Sequence, residues 1–320
     1  MKKETIEEKI LKELTDEKLS AKIKKMEDNT MIAHYTTMEG LVGLLNSGTL
    51  CEGKMMLKMW ATNIYALNDP TELLHGYDII QEWLPKIESE LNVNDKDRLS
   101  NIWKNYATGE KPDSYYNNLL KESLYNQEYS SYILSFSRKK DDLAMLRMYS
   151  QNATGVCIVM SSGMIQETCN LYDVCYDDNF EKIIFTPFEM FKTVYKQYLD
   201  RLREKQLNNK EKFKFMLNHL VTYIMLIAPY IKRSDYSYEE EIRFAKPYKI
   251  TDDIKFRTNR NGNLIPYIEV NIPFKAIKKI IIGPCANYNV SKYVIEQKLK
   301  SMGISDIPKI VKSEKEYRIY

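Results

Sequence analysis

Short strand-like runs crowd both ends of this chain, and helical periodicity fills the long stretches between them. The strand-like runs are 31–36, 56–64, 132–137, 155–161 and 171–176, then 240–246, 267–272, 280–282 and 307–311. Helical patterns fall at 38–47, 72–127, 141–149, 186–232 and 290–302. Strands and helices do not alternate regularly, so a doubly wound parallel sheet is not expected. The expected fold class is α+β, with a mostly antiparallel sheet as its core. The two longest helical segments, about 72–127 and 186–232, read as insertions into one domain spanning 29–320. Neither is flanked by a linker rich in Pro, Gly or Ser, so both are expected to lie as a helical layer on the sheet. Residues 1–28 read as a charged helix apart from it, with a thin apolar stripe of Ile6, Ile10, Leu14, Leu19, Ile23 and Met26.

With 320 residues and 44% apolar content, the chain can bury a sizeable core. Its 47 Lys and Arg against 44 Asp and Glu leave a net charge of +3, too even to name nucleic acid as a partner or to exclude it. The five cysteines form no C-x-x-C pair and are odd in number, which fits free thiols in a reducing cytoplasm. The three histidines, His34, His75 and His219, show no zinc-ligand spacing, and no metal is expected. No signal peptide opens the chain, and its longest apolar run, 220–229, is too short to cross a bilayer. A membrane partner is therefore not expected. There is no P-loop and no G-x-G-x-x-G, so a nucleotide site would be built another way.

The candidate chemistry centres on 236–244, where Glu239, Glu240 and Glu241 run into Ile242-Arg243-Phe244. If these residues form one strand, Glu239, Glu241 and Arg243 share a face, and Glu240, Ile242 and Phe244 share the other. A carboxylate beside a guanidinium stays ionised at neutral pH. That suits an acid opposing positive charge in a transition state. It equally suits a solvated Glu–Arg ladder on an exposed strand.

Four further segments complete the pattern. His34-Tyr35-Thr36 opens the helix that closes on Gly48-Thr49-Leu50. Trp60-Ala61-Thr62-Asn63 precedes the turn Asn68-Asp69-Pro70-Thr71-Glu72. Ser135-Phe136-Ser137 is followed by Asp142, Arg147 and Tyr149, and Ile281-Ile282-Gly283-Pro284 leads to Tyr317-Arg318. Over about 30–320 this set resembles the bacterial family DUF2971, a domain of unknown function. The chain departs from that family's pattern at Leu146 and Ile242, where tryptophan is frequent, and keeps an apolar residue at both.

The order of His-x-Thr, Ser-Phe-Ser, a helical tyrosine and Glu-x-Glu is also similar, more distantly, to ADP-ribosyltransferases. That likeness implies an ADP-ribosyltransferase-like sheet core and NAD as cofactor. It implies that His34, with Tyr35 and Thr36, grips the adenosine-side ribose and the nicotinamide amide. Ser135 and Ser137 would line the site, and Tyr149 would stack on nicotinamide. Glu241, with Glu239 beside it, would hold the nicotinamide ribose and act as the catalytic acid pair. Arg147 or Arg243 would meet the pyrophosphate. The implied role is a bacterial toxin or phage-defence effector modifying nucleic acid or protein, with a homo-oligomer, antitoxin or defence partner in view. Two other readings stay open: a non-catalytic nucleotide-sensing module, and a metal-dependent nuclease using Asp69, Glu72 and Glu241. On its own, each residue also has a structural use: His34 and its hydroxyl neighbours as a helix cap, Tyr149 as core, Arg147 as an ion-pair partner.

Overall fold

A computed structural model of the chain describes residues 30–67, 84–95, 129–176, 228–249, 253–259 and 262–318, with residues 75, 98, 100–101, 192, 195–196 and 199–200 between them. Residues 1–28, the turn at 68–72 and most of both helical insertions lie outside the described residues.

The first strand, Met31–Thr36 (β1), runs into the helix Met38–Asn46 (α1). Thr37 is extended, and its hydroxyl accepts from the Gly40 N–H at 3.0 Å, which starts the helix. Leu41, Leu44 and Leu45 fall on one face at helical spacing and are buried. A hairpin of Thr49–Cys51 (β2) and Lys54–Asn63 (β3) follows. Its two-residue turn needs a left-handed backbone at both positions, Glu52 at φ 47° and Gly53 at φ 75°. Then come Tyr129–Ser137 (β4), Leu143–Tyr149 (α2), Val156–Ser161 (β5), the helical turn Ser162–Ile165 (α3), Tyr172–Asp173 (β6) and Cys175–Tyr176 (β7). Asp142 caps α2 by accepting from the Met145 N–H at 3.0 Å. The rest of the chain adds Ile231–Lys232 (β8), a 3-10 helix at Ser234–Glu239, Glu241–Lys249 (β9), Lys255–Thr258 (β10), Leu264–Pro273 (β11), Ile277–Ile282 (β12), the helix Tyr288–Ser301 (α4) and Lys309–Lys312 (β13).

The architecture is mixed α/β with a mostly antiparallel sheet, in the order β10-β11-β3-β4-β1-β5-β12-β13. Parallel pairing occurs between β12 and β13, and between β7 and β8 in a separate two-stranded sheet. β4 joins the two halves. One of its edges pairs with β9 along its whole length, from Tyr129↔Lys249 to Ser137↔Glu241. Its other edge pairs with β3 at Thr62↔Ile133 and Asn63↔Tyr132, and with β1 at Ala33↔Ser137. Between those contacts β1 and β3 part, and the sheet splits above the middle of β4.

Both faces of the β1–β5–β12 half are covered, so its strands alternate between two cores rather than between core and water. Ile32, Ile158, Ile280 and Ile282 join Leu41, Leu44 and Leu45 of α1 and Ile295 and Leu299 of α4 in one cluster. Ala33, Tyr35, Cys157, Val159 and Ile281 face the other way and pack with Met145 and Leu146 of α2.

The sequence expectations need three adjustments. The run 171–176 is two short strands in different sheets, Tyr172–Asp173 pairing with β9 and Cys175–Tyr176 turning away to pair with β8. The second helical insertion does not reach residue 232. Pro229 has no N–H and restricts the residue before it, and the chain there is a 3-10 turn, Ala228–Tyr230, passing into β8. β2 and β10 are strands that no expectation covered. Where the insertions are described, residues 84–90 and 192, 195–196 and 199–200 are helical. They meet at Glu88, which is fully buried and accepts from the Tyr195 hydroxyl at 2.7 Å.

Candidate active site

A cleft of about 1400 Å³ opens where β1 and β3 part. His34, Thr36, Ser135, Ser137, Tyr149, Glu239, Glu241 and Arg243 all line it, although they span more than two hundred residues of sequence. Tyr35 lines it too, with its hydroxyl donating to the Lys139 carbonyl at 2.8 Å and accepting from the Asp142 N–H at 3.0 Å. Arg147 is not among the lining residues. It is exposed, and its guanidinium lies over the Tyr317 ring, 4.9 Å from the centroid.

The acidic segment is arranged differently from a single strand. Glu239 ends the 3-10 helix and β9 begins at Glu241. Glu240 sits between them in a left-handed conformation, φ 45° and ψ 53°, with its side chain exposed. The two flanking carboxylates converge on one buried ammonium. Lys232 Nζ is 2.7 Å from Glu239 Oε2 and 3.1 Å from Glu241 Oε2. Arg243, two residues along the same strand face, grips Glu241 with both arms: Nε to Oε1 at 2.8 Å and Nη2 to Oε2 at 2.9 Å. Its third nitrogen, Nη1, donates to the Pro229 carbonyl at 3.0 Å.

The side chains of all four residues are no more than 6% exposed. The face is therefore not the solvated ladder that the sequence also allowed, but a closed set of two acids and two bases. Burial alone would push the Glu241 carboxyl up. Arg243 and Lys232 outweigh it, with help from the Ser135 hydroxyl, and bring it down to about 2. Burial likewise pulls Lys232 down, and the attraction of Glu241 and Glu239 raises it above its ordinary value, so it stays charged.

Tyrosines and serines brace the cluster. The Tyr149 hydroxyl donates to Glu239 Oε1 at 2.6 Å. Burial, and then that carboxylate, push its pKa upward, so it remains a donor. The Ser137 hydroxyl donates to the Glu239 carbonyl at 2.6 Å and accepts from the Lys139 N–H at 3.0 Å. Tyr176 accepts the Glu241 N–H at 2.9 Å.

His34 works at the split itself. Its Nδ1 lies 3.0 Å from the Ser135 carbonyl, and its ring meets Phe136 edge-on, with centroids 5.8 Å apart. Burial lowers the His34 pKa, more than the bond to Ser135 raises it, which favours the neutral ring. A carbonyl only accepts, so Nδ1 carries the proton and Nε2 is left as the acceptor. Thr36 closes the strand against α1. A methyl group on Gly40 would come within 2.1 Å of the Thr36 hydroxyl, so glycine is what lets the helix start this close to the cleft.

Sequence reasoning missed Lys232, Tyr176 and Arg257, and gave Trp60, part of a quoted segment, no role of its own. A signal for Lys232 was present: it ends the apolar run that Pro229 interrupts, where a buried cation calls for an acid partner. Asp69 and Glu72, invoked for the nuclease alternative, lie outside the described residues. Among the described residues, no three His, Cys, Asp or Glu side chains gather to hold a metal ion. Nor is any helix among them long and apolar enough to cross a membrane.

Residues 145–244 match the model of the family described as "Protein of unknown function (DUF2971)". The match begins inside α2 and ends in β9, so it takes in Tyr149, Lys232, Glu239, Glu241 and Arg243 and leaves out His34, Ser135 and Ser137. Over that stretch the resemblance read from the motifs is met. No curated protein and no solved structure matches the chain.

Proposed function

We propose that the cleft binds NAD and that the protein is an ADP-ribosyltransferase acting on a nucleic acid or protein acceptor. The observation that supports this reading is the convergence of His34, Ser135, Ser137, Tyr149 and Glu241 on one cleft at the parting of the sheet. The reaction breaks the bond between the nicotinamide nitrogen and the ribose carbon, and the electron pair leaves with nicotinamide. The acceptor's nucleophile then bonds to that carbon and releases its proton. Positive charge builds on the sugar between the two events. A preorganised carboxylate is the counter-charge such a step needs, and Glu241 is held ionised without protonation near neutral pH. The neutral His34 offers Nε2 as an acceptor for a ribose hydroxyl or an amide N–H.

A second reading has its own support. Both Glu241 oxygens already meet donors from Arg243 and Lys232. A carboxylate so fully compensated suits a module that holds a nucleotide without cleaving it.

The test is to incubate the purified protein with NAD labelled in the adenylate moiety, with and without cell lysate. Release of nicotinamide together with label transfer supports the transferase. Saturable NAD binding without release supports the sensing module, and no binding of NAD removes both.

A further inference from the structure

The half-sheet on the far side of the split contributes a third cation to the same cleft, beside Lys232 and Arg243. Arg257 on β10 lines it together with Trp60 and Thr62 of β3. Its Nη2 donates to the Thr62 hydroxyl at 3.2 Å. The guanidinium lies over the Trp60 indole, 5.6 Å from the centroid, and Tyr267 packs against that indole with rings 4.9 Å apart. These contacts fix the plane of the guanidinium without neutralising it. Its Nε–H is shut away from solvent and meets no acceptor. The neighbouring acid, Glu269, is engaged by Lys58 at 2.9 Å and Lys255 at 2.8 Å. A buried donor with no acceptor is a costly arrangement that a bound oxyanion would relieve.

The two arginines expected to meet a diphosphate are otherwise engaged. Arg243 is spent on Glu241 and the Pro229 carbonyl, and Arg147 lies over Tyr317. We propose that Arg257 is the phosphate-binding residue of the cleft, its side chain shifting off the indole to bring the enclosed Nε–H and an Nη–H side by side onto the diphosphate oxygens of a bound dinucleotide. The fork geometry needed for such a paired contact belongs to arginine and not to lysine. The proposal rests on the reading of the cleft as a dinucleotide site for the identity of the ligand, and on the orphaned Nε–H for the residue. Burial, the largest influence on Arg257, lowers its pKa somewhat, yet arginine stays protonated at neutral pH and remains a fixed positive charge.

Calorimetric titration of inorganic pyrophosphate and of NAD into the wild type, Arg257→Met and Arg257→Lys tests it. The expected result is that Arg257→Met weakens both probes on the order of tenfold to a hundredfold, with Arg257→Lys between it and the wild type. Arg257→Lys keeps the charge, so it carries the test if Arg257→Met fails to fold. Pyrophosphate binding that depends on Arg257 without any NAD binding keeps the assignment of Arg257 and removes the dinucleotide reading. NAD binding that depends on Arg257 keeps both. Affinities untouched by either substitution, or no binding of either probe, overturn the proposal.

Discussion

Glu241 and Arg243 lie two residues apart on one face of β9 and form a two-bond pair shut away from water, with contacts of 2.8 and 2.9 Å. The alternation of a strand brings them together, since residues i and i+2 point the same way. Lys232 then approaches Glu241 from β8 and draws in Glu239 from the preceding turn. Strand geometry thus sets half of the cluster, and a contact distant in secondary structure completes it.

Replacing Glu241 with Gln removes the common partner of two buried cations. The expected loss of folding stability is about 3–5 kcal/mol, the usual cost of leaving buried charge uncompensated. Glu240→Gln alters an exposed side chain and is expected to change stability by less than about 0.5 kcal/mol. Urea unfolding of the two variants at neutral pH checks this. Equal midpoints would mean that the Glu241 pair contributes nothing to the fold.

The same carboxylate sets an acid limit. Its pKa in the folded protein is about 2 against an ordinary 4.5. As pH falls, the unfolded chain therefore takes up this proton first. The stabilisation is complete above about 4.5 and fades as pH drops towards 2, by about 3 kcal/mol in all. Stability measured across that range should fall more steeply for the wild type than for Glu241→Gln, which has no proton to gain at this position. Parallel curves would refute the assignment.

His34 predicts a second, milder slope nearer neutrality. Its folded pKa lies below the ordinary 6.5, so the unfolded state charges first as pH drops through that value. Stability should be full above about 6.5 and decline below it. A His34→Gln variant keeps a donor for the Ser135 carbonyl and cannot titrate. Thermal unfolding at about pH 7.5 and about pH 5.5 should therefore separate the wild type from His34→Gln. An identical pH response in the two proteins would exclude the neutral, buried histidine.

Tyr149→Phe removes a hydroxyl from Glu239 and leaves the ring in place. A hydrogen bond to a charged group contributes about 1.5–3 kcal/mol, and the variant should lose stability in that range. If the ring stacks on a ligand, binding should survive better than stability does. A double-mutant cycle with Glu239→Gln should show coupling between the two positions. An additive cycle would mean that the 2.6 Å contact carries no energy.

Gly40→Ala tests the entrance of the cleft. The added methyl would meet the Thr36 hydroxyl at 2.1 Å, so the threonine must rotate or the helix must shift. A destabilisation of about 1–3 kcal/mol is expected. Thr36→Ala in the same background should recover part of it, because the clashing oxygen is then gone. No recovery in the double variant would place the strain elsewhere.

Local pattern was enough for much of the fold. Short apolar runs marked β1 and β5, a β-branched run marked β12, a hydroxyl cap marked α1, and the lack of βα alternation pointed to a mostly antiparallel sheet. These features depend on neighbours within a few residues, and a sequence states them directly. It also paired Glu241 with Arg243, because spacing by two along a strand is itself a geometric statement, whereas Glu239, expected on the same strand, ends a 3-10 helix and joins the cluster through Lys232. What it could not state was their environment. A solvated ladder and a sealed ion-pair cluster have the same spacing, and the choice between them depends on what covers the face. Here Lys232, Tyr149 and Tyr176 cover it from β8, α2 and β7, and the last two come from more than sixty residues away in the chain. The cleft is likewise a product of topology: β1 and β3 both seek the same edge of β4, and the place where they part is set by pairing between distant strands. Arg257 and Trp60 enter it from the other half-sheet for that reason, and no run of residues around Arg257 announces it.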